Sequence, residues 1–389
     1  MNIKVQNRTI STEAALNVLR KSYRGILGIS MGMARRRLSR NDRRKNGVAL
    51  RPVVANVEIT RRCNLHCSMC WLWGKNGVGA QGPGELSPEE WVKVIDNVSD
   101  FVSMVYFTGG EPLTKYELLI KLIRRIKMKR RLCSITTNGT LIDRVVAKDL
   151  VNSGLDILTI SIDGDEEGHD SIRGRGAFQK TISGIRQMVA AKREIGSSMP
   201  FIKTSTTIND ICASSLESLA YQLRNLDVDM CQLQYPWFLP SRLVLSHKKK
   251  MKQIFGIECQ GISGYAADDM DRISPDKIQS VINVFYKIMN GRFSVFPDIR
   301  ELADIKKYFT DLHFNFRKDC RTPWTNITVK ADGRVNLCPD YYIPEYVIGY
   351  AQETRVEDLW NNKKARAFRM ELRKYGSFPG CARCCGLFS

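Results

Sequence analysis

The sequence predicts an α/β protein: an open, partial (β/α)6 barrel followed by a small C-terminal α+β domain. Three observations lead there. From Val53 to about residue 245, short apolar and β-branched runs alternate with segments of helical periodicity. That alternation implies parallel strands with helices outside them, and about six units fall short of the eight in a closed barrel. Beyond about residue 310 the text changes to short strands, a tight turn and a concentration of cysteines.

In order, residues 1–50 form a basic amphipathic arm, with twelve Lys/Arg against Glu13 and Asp42. Within it, residues 12–24 read as a short helix capped by Ser11, and Ile26–Met33 is apolar beside Arg35-Arg36-Arg37. Basic residues beside apolar ones suit a membrane surface, while a solvated arm or a helix capping the barrel would read similarly. The barrel is placed at 51–245. Its strands are expected at Val53–Thr60, Ser103–Thr108, Leu132–Thr136, Ile157–Ile162, Phe201–Ile208 and Met230–Tyr235. Helices are expected near 88–98, 115–129, 143–153, 178–192 and 213–225. Residues 246–309 read as barrel completion and linker, with an exposed basic loop at His247–Lys252 and a helix at Pro275–Asn290 capped by Ser274. Residues 310–389 are expected to fold as a separate small domain. In it, strands 326–330 and 334–337 flank a turn at Ala331-Asp332-Gly333.

The 389 residues are 43% hydrophobic and 26% charged, as a globular chain is. No apolar run approaches the ~20 residues that span a bilayer, and no signal peptide is visible. The expected location is the cytoplasm, with the membrane surface as a peripheral site. There, twelve cysteines favour metal or redox roles over disulfides. The net charge of +20 attracts phosphates, of nucleic acid or of anionic lipid.

The chemistry concentrates first in Cys63, Cys67 and Cys70, spaced Cys-x3-Cys-x2-Cys after the first strand. Three thiolates on one loop can hold three corners of a four-iron cluster and leave one iron open. Structural zinc wants four ligands, and His66, adjoining Cys67, is awkwardly placed to be the fourth. Further motifs end successive strands: Gly109-Gly110-Glu111-Pro112, Thr136-Thr137-Asn138-Gly139, and Ser161-Ile162-Asp163-Gly164 running on to Arg173. In such folds the C-terminal strand ends build the active site.

Together these residues resemble the radical S-adenosylmethionine (SAM) superfamily over about 55–240. The resemblance implies a partial (β/α)6 TIM-like barrel in which Cys63, Cys67 and Cys70 ligate a [4Fe–4S] cluster and SAM chelates the open iron. It implies that Met69 packs near the adenine and that the backbone at Gly109, Gly110, Glu111 and Pro112 receives the SAM amino group. Ser161 and Arg173 match positions that hold the SAM carboxylate or ribose, with Asn138 on the same rim; a surface ion pair is the plainer reading of Arg173. The implied chemistry is reductive SAM cleavage to a 5′-deoxyadenosyl radical, which abstracts hydrogen from an unactivated carbon.

Cys320, Cys338, Cys381 and Cys384, with Cys385 adjacent, resemble the twitch form of a SPASM domain over about 310–389. This implies a second [4Fe–4S] cluster, with Cys385 as the substitute for Cys384; four thiolates on zinc are the alternative. A fully ligated cluster suits an electron relay. Cys133, Cys212 and Cys231 read as packing, Cys259 as a candidate hydrogen-atom donor and Asp340 as a candidate base. Trp71, Trp73, Tyr235, Trp237, Tyr341 and Tyr342 are candidates for a pocket wall or for core. The substrate is an organic molecule of undetermined class. The arm tilts the reading to a lipid or other hydrophobic compound, against a peptide under maturation, a sugar or aminocyclitol, or RNA. An electron donor such as ferredoxin or flavodoxin is expected. Nucleic acid is disfavoured, because no RNA-binding module is recognisable.

Overall fold

The computed structural model describes residues 3–5, 8–10, 46–77, 79, 84–210, 215–270, 273–339 and 342–388. The helix expected at 12–24, most of the basic arm, Cys212, Asp340 and Tyr341 lie outside the described residues.

Strands β1 (Ile3–Val5) and β2 (Arg8–Ile10) pair as an antiparallel hairpin. The barrel strands are β3 (Val54–Thr60), β4 (Met104–Gly109), β5 (Leu132–Thr137), β6 (Ile157–Ser161), β7 (Phe201–Thr207), β8 (Met230–Gln234) and β9 (Phe293–Phe296). β10 (Asn326–Val329), β11 (Arg334–Asn336) and β12 (Gly349–Tyr350) follow. One open sheet runs in the order β12-β11-β10-β3-β4-β5-β6-β7-β8-β9, parallel from β10 to β9.

The helices start where side chains satisfy their first amides. Ser87 and Glu90 form a capping box for α1 (Pro88–Phe101). Asp143 caps α3 (Arg144–Asn152) and Asp165 caps α4 (Glu166–Arg173). Between these and after them come α2 (Tyr116–Met128), α5 (Ala177–Ile195), α6 (Leu216–Arg224), α7 (Ser241–Phe255) and α8 (Pro275–Met289). Among the described residues, no helix is long and apolar enough to cross a membrane.

Three expectations change. His247–Lys252 is not a loop but part of α7, because Val244, His247 and Met251 fall on one buried helical face and leave the lysines outward. β9 adds a seventh parallel strand inside the segment read as barrel completion and linker, beyond the six strands expected. The 310–389 segment does not stand apart: β10 pairs with β3 from Asn326↔Val54 to Val329↔Val57 and covers an edge the barrel would otherwise expose.

Alternation along the strands separates two faces. One is apolar and packs on the helices: Ala55, Val57, Val105, Phe107, Cys133, Ile135, Leu158, Ile160, Ile202, Cys231, Leu233 and Val295 are all buried. The other lines the lumen. Its floor is apolar, Val54↔Met104↔Leu132 and Ile157↔Phe201. Above the floor the rows turn polar: Thr136↔Thr159↔Lys203 and Ser161↔Ser205↔Gln232↔Ser294.

Candidate active site

The cysteine loop leaves β3 and is pinned by its neighbours. Gly110 N–H donates to Thr60 O and Glu111 N–H to Arg62 O, both at 2.8 Å. Gly109 has φ +130, and a Cβ there would lie 2.2 Å from Thr60 O; one at Gly110 would lie 2.2 Å from Arg62 O. Both positions therefore require glycine for backbone to meet backbone. Trp73 Nε1 donates to Arg61 O at 2.9 Å and props the loop from beneath, while His66 stays edge-on to Trp73.

Glu111 is buried, and its carboxylate accepts from Leu113 N (3.0 Å), Thr137 Oγ1 (2.7 Å) and Asn138 N (2.7 Å). Burial pushes its carboxyl pKa up and these three donors oppose the rise. Pro112 opens the turn that Glu111 caps. Asn138 does not present its amide to the rim. Its Nδ2 donates to Asn64 Oδ1 at 2.9 Å and its Oδ1 accepts from Thr140, so it anchors the cysteine loop from the side. Asn64, between the cysteines, carries no signal in sequence.

Ser161 ends β6 on the lumen face. Two residues on, Asp163 is fully buried, accepts from Thr207 N at 2.7 Å and pairs with Arg173 Nε at 2.7 Å. Arg173 is thus no surface pair: its side chain is 11% exposed, and its Nη1 lies 4.0 Å from Cys67 Sγ. Ser68 N–H donates to Ile172 O, tying the cysteine loop to the end of α4. His169 accepts from Asp163 N and stacks edge-on against Phe178. Burial holds its pKa down at about 4. Met69 is exposed, with Asn209 Nδ2 3.9 Å from its sulfur.

Whether these residues suit an iron–sulfur cluster is decided by the sulfurs. Leu65 N donates to Cys63 Sγ and Leu72 N to Cys70 Sγ, each at 3.4 Å, and Arg173 faces Cys67 Sγ. Each sulfur therefore has a donor aimed at it, as cluster thiolates have. Burial pushes the Cys63 thiol up to about 11 and raises Cys67 too, so the thiolates need a metal's charge to persist. With a donor aimed at each of its three sulfurs, the loop fits a cluster.

The second set assembles from three chain segments. Cys320, Cys338, Cys381, Cys384 and Cys385 sit within each other's electrostatic reach. Burial pushes Cys320 to about 11 and Cys381 to about 12; a hydrogen bond with Cys385, and then burial, raises Cys384. Gly386 lets the last turn close on Cys320, since a Cβ there would stand 3.0 Å from its sulfur. Arg383, between two of these cysteines, is buried, stacked on Tyr308 at 4.7 Å, with Nη2 donating to Asp311 O. Cys259 is 1% exposed and donates to Tyr342 O at 3.2 Å, which withdraws it as a donor to substrate. Tyr235 is core, its hydroxyl donating to Ile299 O. Trp71 stacks on Tyr265, itself stacked on Tyr342.

A parallel barrel with a three-cysteine loop at its mouth and a five-cysteine site on the same sheet defines an iron–sulfur enzyme. The radical SAM superfamily pattern matches residues 57–209, and the SPASM iron–sulfur cluster-binding domain matches 320–385. The chain thus carries a radical SAM domain and a SPASM domain. These domains imply a [4Fe–4S] cluster and SAM, with further iron–sulfur binding in the SPASM domain.

The chain is 36% identical over 165 residues to Fe-coproporphyrin III synthase of Methanosarcina barkeri, 42% of this chain and 40% of that one. It is 25% identical over 341 residues to a tungsten-containing aldehyde ferredoxin oxidoreductase cofactor-modifying protein of Pyrococcus furiosus, 84% and 86% of the two chains. Streptococcus suis SuiB shares the fold, with TM-score 0.60 and 15% identity over 88% of this chain and 74% of that one. So does anSMEcpe with bound AdoMet, with TM-score 0.57 and 18% identity over 84% of each.

Proposed function

We propose that this chain cleaves SAM reductively and uses the product to take hydrogen from a carbon of a polar substrate held in the barrel lumen. The carrying observation is the polar lumen beneath the cysteine loop. Asn56 Nδ2 and Thr328 Oγ1, paired in register, are buried without a partner among the described residues. A lipid tail would leave such groups unsatisfied, whereas a hydrogen-bonding substrate or water satisfies them. The hydrophobic substrate suggested by residues 1–50 would meet an apolar floor but polar rows above it. A peptide or a sugar-like molecule suits them better.

Bound there, the first cluster and SAM would supply a 5′-deoxyadenosyl radical, one electron entering through the cluster to break the sulfonium and methionine leaving. In this reading Cys63, Cys67 and Cys70 hold that cluster, and Ser161 and Arg173 orient the SAM carboxylate. Met69 flanks the adenine, and carbonyls at Gly109 and Gly110 accept from the amino group, since the neighbouring N–H groups already donate to the loop. Cys320, Cys338 and Cys381, with Cys384 or Cys385, hold a second cluster that relays an electron. A ferredoxin or flavodoxin serves as the donor.

Anaerobic reconstitution should give about eight irons per chain. Replacing Cys63, Cys67 and Cys70 by Ala should abolish 5′-deoxyadenosine while an EPR-visible cluster persists. About four irons with one zinc would remove the second cluster from this account, and SAM cleavage by the triple variant would remove the first.

A further inference from the structure

The lumen holds few charges. Glu58 and Lys330 are both buried and pair at 3.2 Å, so they cancel. At the rim Asp332 is shared between Arg61 and Arg334, so both arginines there have a carboxylate partner. Lys203 is different. It stands in the middle of β7 on the lumen face, in register with Thr159 on one side and Met230 on the other. Its Nζ donates to Gln232 Oε1 at 2.9 Å, and no carboxylate lies within ion-pair distance of it among the described residues. Burial alone holds its pKa below the usual lysine range. An ammonium kept half out of water with only a neutral amide for company is costly, and such a charge is normally matched.

Its neighbours are also donors. With Gln232 Oε1 taken, the Gln232 Nε2 amide is left to donate, and the Ser205 hydroxyl sits in register beside it. A cation, an amide N–H and a hydroxyl grouped on adjacent strands make a receptor for a planar anion with two oxygens.

We propose that Lys203, with Gln232 and Ser205, forms an anion subsite in the lumen and that the substrate carries a carboxylate that binds there. The proposal rests on the function proposed above and names the substrate class for the same lumen. The anion is not that of SAM, which Arg173, beside Cys67, is placed to take.

The test uses the anaerobically reconstituted holoenzyme with SAM bound. Ligand-observed NMR titrations compare succinate and phenylacetate with their amides, succinamide and phenylacetamide. Wild type, Lys203→Met, Lys203→Gln and Lys203→Arg are run side by side, with SAM affinity followed by equilibrium dialysis. Wild type should prefer carboxylate over amide by about tenfold or more. Lys203→Met and Lys203→Gln should lose that preference, Lys203→Arg should keep most of it, and SAM affinity should stay within about twofold throughout. A preference that survives in both neutral variants overturns the proposal, as does its absence in wild type. A SAM affinity about tenfold weaker in the neutral variants also overturns it, by assigning the lysine to SAM. Failure of the underlying reading is distinct: wild type would then form no 5′-deoxyadenosine before any probe is added.

Discussion

Asp163→Asn should damage this enzyme more than its size suggests. The substitution keeps the shape and removes one charge from a buried pair. Asp163 is fully buried, its partner Arg173 is 11% exposed at the side chain, and Nε meets the carboxylate at 2.7 Å. With charge centres about 4 Å apart and an effective dielectric near 20, the lost attraction is about 4 kcal/mol. The new amide oxygen keeps only one of the two bonds now accepted from Thr207 N and Arg173 Nε, while the lower cost of burying a neutral amide offsets about 1 kcal/mol net. The expected destabilisation is therefore about 3 kcal/mol. Arg173, freed from its partner, should also hold SAM about tenfold less tightly.

A double-mutant cycle with Arg173→Met isolates the pair, read by anaerobic urea unfolding and by SAM equilibrium dialysis. A coupling energy of about 2 kcal/mol or more is expected. Coupling below about 0.5 kcal/mol, with SAM affinity unchanged in Asp163→Asn, would refute the idea that Asp163 sets the arginine.

Gly109→Ala should unseat the cysteine loop. The added Cβ would stand 2.2 Å from Thr60 O at φ +130, so iron content should fall together with thermal stability. Normal iron loading would contradict that. His247 should make the fold acid-sensitive. Its Nδ1 accepts from Gly380 N at 3.0 Å, its Nε2 faces Tyr342 O at 3.2 Å, and burial lowers its pKa from 6.5 to about 4. The fold keeps the neutral ring, so this stability is intact above about pH 6.5 and is lost as pH falls toward 4, by about 3 kcal/mol. His247→Gln should flatten that part of the pH–stability curve; an unchanged slope would clear His247 of the role. Liposomes rich in anionic lipid should co-sediment the full chain and release a form lacking residues 1–45; equal sedimentation of both forms would place membrane contact elsewhere.

Much of this was legible in the chain itself. The six strands expected between Val53 and Tyr235 form within a residue or so of their places, because alternation and length are local signals. The motifs at the strand ends were equally plain. What stayed hidden depends on distant partners. Asn64 looks like loop filler until Asn138 is beside it. Arg173 is marked by its motif, but only the fold shows Asp163 holding it beside Cys67. Lys203 sits in an ordinary strand sequence, and only the register shows that it faces the lumen without a counter-charge. β9 is only four residues long, so the helix expected just before it at Pro275–Asn290 is not enough to announce a further strand. The pairing of β10 with β3 joins the two ends of the fold, and no local pattern carries such information.

That pairing also sets an order of events during synthesis. Cys63 leaves the ribosome long before Asn326, yet the strand that precedes Cys63 gains its outer neighbour only when β10 arrives. Until then β3 is an open edge, and Arg61 lacks its partner Asp332. The cysteine loop is therefore finished late, near the moment when Cys381 to Cys385 also become available.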